Sequence, residues 1–173
     1  MRLIKRIIET GEKLGDSPQQ SDVYKFKLNN EWFVLKLYKH YENNAGEILS
    51  QLHHPNIVEL FGTGRYRGRE YVIMEFIEGL NIDQQGIITD SQVLQLKNVL
   101  QYLKNNKVHH REFKPEHLLI TPEGMLKLID FGMASTPEFE LKVKPQDLEI
   151  NKDYGTNDDI AVQKIIEKYG VKK

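Results

Sequence analysis

Residues 108–132 read VHHREFKPEHLLITPEGMLKLIDFG, and the fold turns on how this stretch is read. Leu118-Leu119-Ile120 and Met125-Leu126-Lys127-Leu128-Ile129 are apolar, strand-prone runs separated by Thr121-Pro122-Glu123-Gly124. Proline presets φ at the second turn position and Gly124 admits positive φ, so the spacing predicts a tight hairpin. His110, Arg111, Glu112, Lys114 and His117 stand before the first strand, and Asp130, Phe131 and Gly132 follow the second. A hairpin brings both charged sets to one mouth. That arrangement suits a phosphate and a metal ion together, and so phosphoryl transfer.

Working outward, the 173 residues are 39% hydrophobic, enough for one sizeable core or two small lobes sharing a cleft. A net charge of −1 gives no electrostatic reason to expect nucleic acid as a partner. With no cysteine there is neither a disulfide nor a thiolate metal site. The start, Met1 to Ile8, is basic but lacks a signal-peptide apolar run, and no stretch reaches transmembrane length. The expectation is a cytoplasmic chain with no membrane partner.

The first half reads as strands. Val23 to Leu28 alternates, Asn29-Asn30 makes a turn and Trp32 to Leu37 returns. Ile7 to Leu14 supplies a candidate neighbouring strand, followed by a polar loop from Gly15 to Asp22. Ile48, Leu49 and Leu52 share a helical face that His54-Pro55-Asn56 ends. A second hairpin, Ile57 to Phe61 and Glu70 to Phe76, is joined by a turn around Gly64 and Gly68. Beyond Gln84 the period becomes helical: Ser91 is the expected N-cap of a helix carrying Val93, Leu96, Val99, Leu100 and Leu103. Irregular backbone is expected from Ala134 to Tyr154. A last helix bears Val162, Ile165, Ile166 and Tyr169, with Gly170 as its stop.

These residues, in this order, resemble a eukaryotic-type protein kinase in a very short version. His110-Arg111-Glu112-Phe113-Lys114-Pro115-Glu116-His117 resembles the catalytic loop, Asp130-Phe131-Gly132 the metal-binding motif, and Val34-Leu35-Lys36 the strand with the phosphate lysine. His54-Pro55-Asn56-Ile57-Val58 and Met74 to Gly79 resemble the link after the first helix and the hinge. The resemblance implies an α+β, two-lobed kinase-like fold with an antiparallel sheet N-lobe at residues 1–76, a hinge at 77–83 and a shortened helical C-lobe at 84–173.

It also implies a site. Lys36 is expected on the α- and β-phosphates of ATP, Lys114 beside the γ-phosphate, and Asp130 on Mg²⁺. Glu112 is the expected catalytic carboxylate. Val23, Val34, Met74 and Leu119 would line the adenine pocket, with backbone hydrogen bonds from Glu75 and Ile77 and a ribose contact from Asn81. Leu49, Leu60, His110 and Phe131 would form the hydrophobic column that joins the lobes. Ser135 and Thr136 are candidate phosphorylation sites with Arg111 as partner.

The chain departs from the family in five places. Glu112 replaces Asp, and its extra methylene moves the oxygens by about an ångström, a misplacement worth on the order of 10²-fold in rate if uncompensated. His117 replaces the metal-binding Asn, and imidazole is a poorer ligand for Mg²⁺ than for Mn²⁺ or other transition metals, so one metal on Asp130 alone, a Mn²⁺ preference and no productive metal site all stay open. Asp16, Pro18 and Ser21 occupy the three glycine positions of the phosphate loop, where Asp16 or Asp22 could repel phosphates. Ala45 stands where the glutamate partner of Lys36 is usual. Glu42 is preferred as substitute, because Glu47 lies two residues on, about 200° around the helix. The substrate-docking segment after Gly132 is missing, and Asp159 is the expected anchor of the catalytic loop. Three readings stay open: a serine/threonine-type phosphotransferase using ATP with Mg²⁺ or Mn²⁺, a pseudokinase acting as a nucleotide-binding or scaffold module, and a small-molecule kinase.

Overall fold

The structure is a computed structural model that describes residues 2–16, 21–39, 44–140 and 153–171. The sequence-predicted hairpin at its centre is present, as β7 (Leu118–Ile120) and β8 (Leu126–Leu128). Gly124 closes its turn at φ +83°, and its N–H donates to the Thr121 carbonyl at 2.8 Å. A short strand, β6 (Leu80–Asn81), adds to the other edge of β7. Gly79 lets it do so, because a Cβ there would sit 2.3 Å from the Ile120 carbonyl oxygen.

The first half forms a five-stranded antiparallel sheet in the order β1-β2-β3-β5-β4, from β1 (Glu12–Asp16), β2 (Ser21–Leu28), β3 (Glu31–Tyr38), β4 (Leu60–Tyr66) and β5 (Arg69–Glu75). Two positive-φ residues, Asn29 and Asn30, join β2 to β3 in the two-residue turn that matches strand twist. Arg67 and Gly68 do the same for β4 and β5. Gly64, expected in that turn, instead lies within β4 opposite Tyr71, so the strands are longer and the turn tighter than the glycines suggest.

Period-two alternation sends Leu35 and Leu37 of β3 to one face and Val34, Lys36 and Tyr38 to the other. Helix α1 (Arg2–Thr10) covers the first face, with Ile4 and Ile7 buried in a cluster with Phe26, Leu35, Leu37 and Tyr66. This corrects the expected strand at Ile7-Ile8. An isoleucine pair fits either period, and burial of Ile4 and Ile7 three residues apart selects the helix.

The second face meets the main core. Here α2 (Ala45–Leu49) buries Ala45, Ile48 and Leu49, and the same continuous cluster takes in Val72, Met74, Phe113, Phe131 and both arms of the β7–β8 hairpin. Short α3 (Ile82–Gln85) follows β6. Then α4 (Asp90–Asn105) adds Leu96, Val99 and Leu103, and α5 (Asp158–Tyr169) adds Val162, Ile165 and Tyr169. The N-cap of α4 is Thr89, not the expected Ser91. Thr89 and Gln92 form a reciprocal capping box, which wins over a lone serine two residues on, inside the first turn. No described helix is long and apolar enough to cross a membrane.

Candidate active site

The site is built on three supports: β3, the loop before β7, and the residues after β8. Lys36, 7% exposed on β3, reaches across and donates from Nζ to Asp130 Oδ1 at 2.5 Å. Asp130 adopts a left-handed backbone, φ 63°, ψ 71°, and its Oδ1 also accepts the Gly132 N–H at 3.2 Å. Phe131, next in the chain, turns inward and meets the His110 ring edge-on at 4.7 Å. Leu49 and Phe131 are buried in the main core, with Leu60 packed against that core.

His110 is fully buried and structural. Its Nε2 lies 3.0 Å from the Ile129 carbonyl and its Nδ1 accepts the Glu112 N–H, which specifies a neutral ring. Burial, with His117 nearby, brings its pKa down to about 4. Of the next two residues, Arg111 has φ 64° and Glu112 is buried at 9% exposure. Glu112 Oε1 accepts from Lys114 Nζ at 2.8 Å. Burial raises the Glu112 pKa, the Asp130 charge adds to this, and Lys114 opposes it.

His117 sits behind them, its Nδ1 3.0 Å from the Glu112 carbonyl oxygen and its Nε2 3.4 Å from Asp130 Oδ2. Burial lowers its pKa to about 4. Burial alone would raise the pKa of Asp130, but the Lys36 ammonium overrides it and holds the carboxyl well below the usual range. Glu112, His117 and Asp130 each bring a ligand atom within 4.8 Å of the others. Two carboxylates and an imidazole form a donor set that fits a divalent cation.

Around this centre the other expected residues fall into place unevenly. Val23 faces Lys36 across the β2–β3 ladder, and Val34 faces buried Met74 across β3–β5. Leu119 on β7 is half-buried and pairs with Asn81 and Lys127. Ile77 packs against the main core. The Glu75 N–H already donates to the Glu59 carbonyl at 3.0 Å, so its carbonyl is the backbone group it could offer a base. Its carboxylate ties β5 to β8 through Lys127 Nζ at 2.6 Å. Asn81 caps α3, its Oδ1 accepting the Gln84 N–H, so only its amide nitrogen can turn to a ribose.

Several expectations are corrected. The anchor of the catalytic loop is Asp158, not Asp159: its two oxygens accept the N–H groups of His110 and Arg111, each at 2.8 Å. Asp159 is exposed and meets Lys104 instead. Asn157 caps α5 and sets this phase, a signal the sequence carried. Ser135 is buried at 3% exposure and accepts from Arg111 Nε, so its hydroxyl is a structural acceptor and not a presented one. Asp22 does not threaten a phosphate, because Arg69, Lys39 and Lys13 surround its carboxylate at 2.7, 3.5 and 3.8 Å. Glu47 is exposed and no partner of Lys36; Glu42 lies outside the described residues, as do Pro18 and the side chain of Asp16.

A family model described as the protein kinase domain matches residues 8–168 of this chain. The chain belongs to the protein kinase family. Its sheet and shortened helical half are those of an abbreviated two-lobed kinase fold. Among curated proteins it is 32% identical over 117 residues to MAP kinase kinase kinase wis4 of Schizosaccharomyces pombe, covering 62% of this chain and 8% of the relative. It is 37% identical over 97 residues to serine/threonine-protein kinase SSK22 of Saccharomyces cerevisiae, covering 51% of this chain and 7% of the relative. The same identity over 97 residues relates it to mitogen-activated protein kinase kinase kinase 5 of Arabidopsis thaliana, covering 51% of this chain and 14% of the relative. The chain thus spans only a small part of each of these relatives.

Proposed function

We propose that this chain is an ATP-dependent phosphotransferase of the serine/threonine kinase type, working from a cleft between an N-lobe at residues 1–76 and a C-lobe at 84–173, hinged at 77–83. The observation that supports it most is the convergence of Lys36 and Asp130 at 2.5 Å with Glu112, Lys114 and His117 around them. In this reading Lys36 neutralises the α- and β-phosphates and Lys114 the γ-phosphate. Glu112, with its pKa raised by burial, orients and deprotonates the attacking hydroxyl. Asp130 and His117 hold Mg²⁺ or Mn²⁺, which neutralises charge on the phosphate oxygens. Val34, Met74 and Leu119 exclude water from the base. The acceptor is a hydroxyl of a protein, of the chain itself or of a small molecule.

One observation favours a second reading, a pseudokinase module. Lys36 is paired with the metal carboxylate itself, while Ala45 buries a methyl group at the usual position of its glutamate partner. Incubation with γ-labelled ATP and Mg²⁺ or Mn²⁺ separates the two. The proposal expects label on the chain or an added substrate, lost on Glu112→Ala. No transfer from a chain that ATP stabilises, or transfer unaltered by Glu112→Ala, would reject the enzyme reading.

A further inference from the structure

We infer that Glu112, His117 and Asp130 together form a three-donor site for a transition-metal dication, Mn²⁺, Co²⁺ or Zn²⁺, that fills without any nucleotide. This deepens the phosphotransferase reading and rests on it only for the use of the cleft. It also gives Glu112 a second role, as a metal ligand in the nucleotide-free chain.

The first support is the setting of His117. The residue is 8% exposed, and its Nδ1 donates to the Glu112 carbonyl at 3.0 Å, which makes Nε2 the ligand atom. Metal-bound histidines are generally held in this way, by an N–H given to a carbonyl or carboxylate behind the ring. Nε2 is thereby aimed at Asp130 Oδ2, 3.4 Å away.

The second support is the length of Glu112. Its carboxylate, on a side chain one methylene longer than Asp, brings Oε2 to 3.9 Å from His117 Nδ1, beside the ring, from where it must turn toward Nε2 to share a cation. One ring nitrogen of His117 and one carboxylate oxygen each of Glu112 and Asp130 lie within 4.8 Å of one another. Ligands about 2.1 Å from a cation sit roughly 3–3.5 Å apart, so the widest separation must close by about 1–2 Å. An imidazole with two carboxylates suits Mn²⁺, Co²⁺ or Zn²⁺ better than Mg²⁺, which prefers oxygen ligands and retained waters.

The third support is charge. Asp130 now holds the Lys36 ammonium at 2.5 Å and Glu112 the Lys114 ammonium at 2.8 Å. A dication brings the charge that these two lysines now supply, so metal and lysines compete for the same oxygens. The consequence has an unusual sign: removing Lys36 strengthens metal binding while it removes a phosphate contact.

The test titrates the full chain, free of nucleotide, with Co²⁺ and reads its visible d–d bands. One Co²⁺ per chain is expected. His117→Asn and Glu112→Gln should each weaken binding by about tenfold or more. Lys36→Met should tighten it by about tenfold, equivalent to about 1.4 kcal/mol. Absence of a saturable one-to-one band, a band unmoved by His117→Asn, or weaker binding in Lys36→Met overturns the inference. Circular dichroism checks each fold, and Glu112→Asp, which restores the shorter family residue, replaces any variant that does not fold and should weaken binding likewise. ATP·Mg²⁺ binding without a Co²⁺ site would fail this inference and leave the phosphotransferase reading standing. A Co²⁺ site in a chain that never binds nucleotide would do the reverse.

Discussion

Asp158 and Asp159 are chemically identical neighbours with opposite fates. Asp158 accepts two backbone N–H groups of the catalytic loop, while Asp159 meets one exposed lysine. Asp158→Ala would leave those donors without their charged acceptor and should cost about 2–4 kcal/mol in denaturant unfolding. Asp159→Ala should cost no more than about 0.5 kcal/mol, as exposed ion pairs usually do. His54 supplies a pH dependence away from the site. Its Nδ1 accepts the Asn56 N–H at 3.1 Å, its ring lies 4.8 Å from Tyr102, and burial lowers its pKa. The folded chain therefore favours the neutral ring, and this contribution is whole above about pH 6.5 and is lost as pH falls from there through the lowered folded value. His54→Asn, which keeps an acceptor, should shrink the fall in urea midpoint between about pH 7 and pH 5. At this scale the sequence announced residue types well and single-residue phase poorly. Lys36, Glu112, Lys114, His117 and Asp130 converge as their motifs suggested, whereas choosing Asp158 over Asp159 needed the cap at Asn157, and Ser135 was hidden by burial that no local pattern displays.

Among the elements, the β7–β8 hairpin was legible because Pro122 and Gly124 encode its turn chemically. The β2–β3 hairpin was legible because Asn29-Asn30 does the same. Helix α1 was not, because Ile7-Ile8 suits a strand or a helix and the choice is made by the apolar face of β2 and β3 that it covers. The start of α4 was misplaced by two residues because a serine near a helix start looks like a cap until the reciprocal partner is counted. Thr89 has that partner in Gln92 and Ser91 is inside the helix. Thr89→Ala should thus cost about 1 kcal/mol and Ser91→Ala less than about 0.5 kcal/mol, read by thermal or urea unfolding.

For the molecule as a whole, the kinase architecture explains how a short chain can still bring two lysines, two carboxylates and an imidazole together. The sheet contributes Lys36, the hairpin delivers Glu112, Lys114, His117 and Asp130, and one continuous core from α2 to α5 keeps them in register. The Glu75–Lys127 pair at 2.6 Å ties the end of β5 to the hairpin. What the sequence could not display was the pairing of Lys36 with Asp130, since it arises from two segments 94 residues apart. That contact is also where the proposed phosphotransferase reading is most exposed to test, because in that reading a nucleotide with its metal takes over both partners. The direct measurement is the thermal midpoint of the full chain titrated with ATP at a fixed concentration of Mn²⁺ or Mg²⁺, each midpoint read against the same metal without nucleotide, beside Lys36→Met. Ligand at about a hundred times Kd adds about 2.7 kcal/mol, so the midpoint should rise by roughly 5–10 °C, and the rise should vanish in Lys36→Met. An unchanged midpoint with every nucleotide and metal, or an equal rise in Lys36→Met, would contradict it.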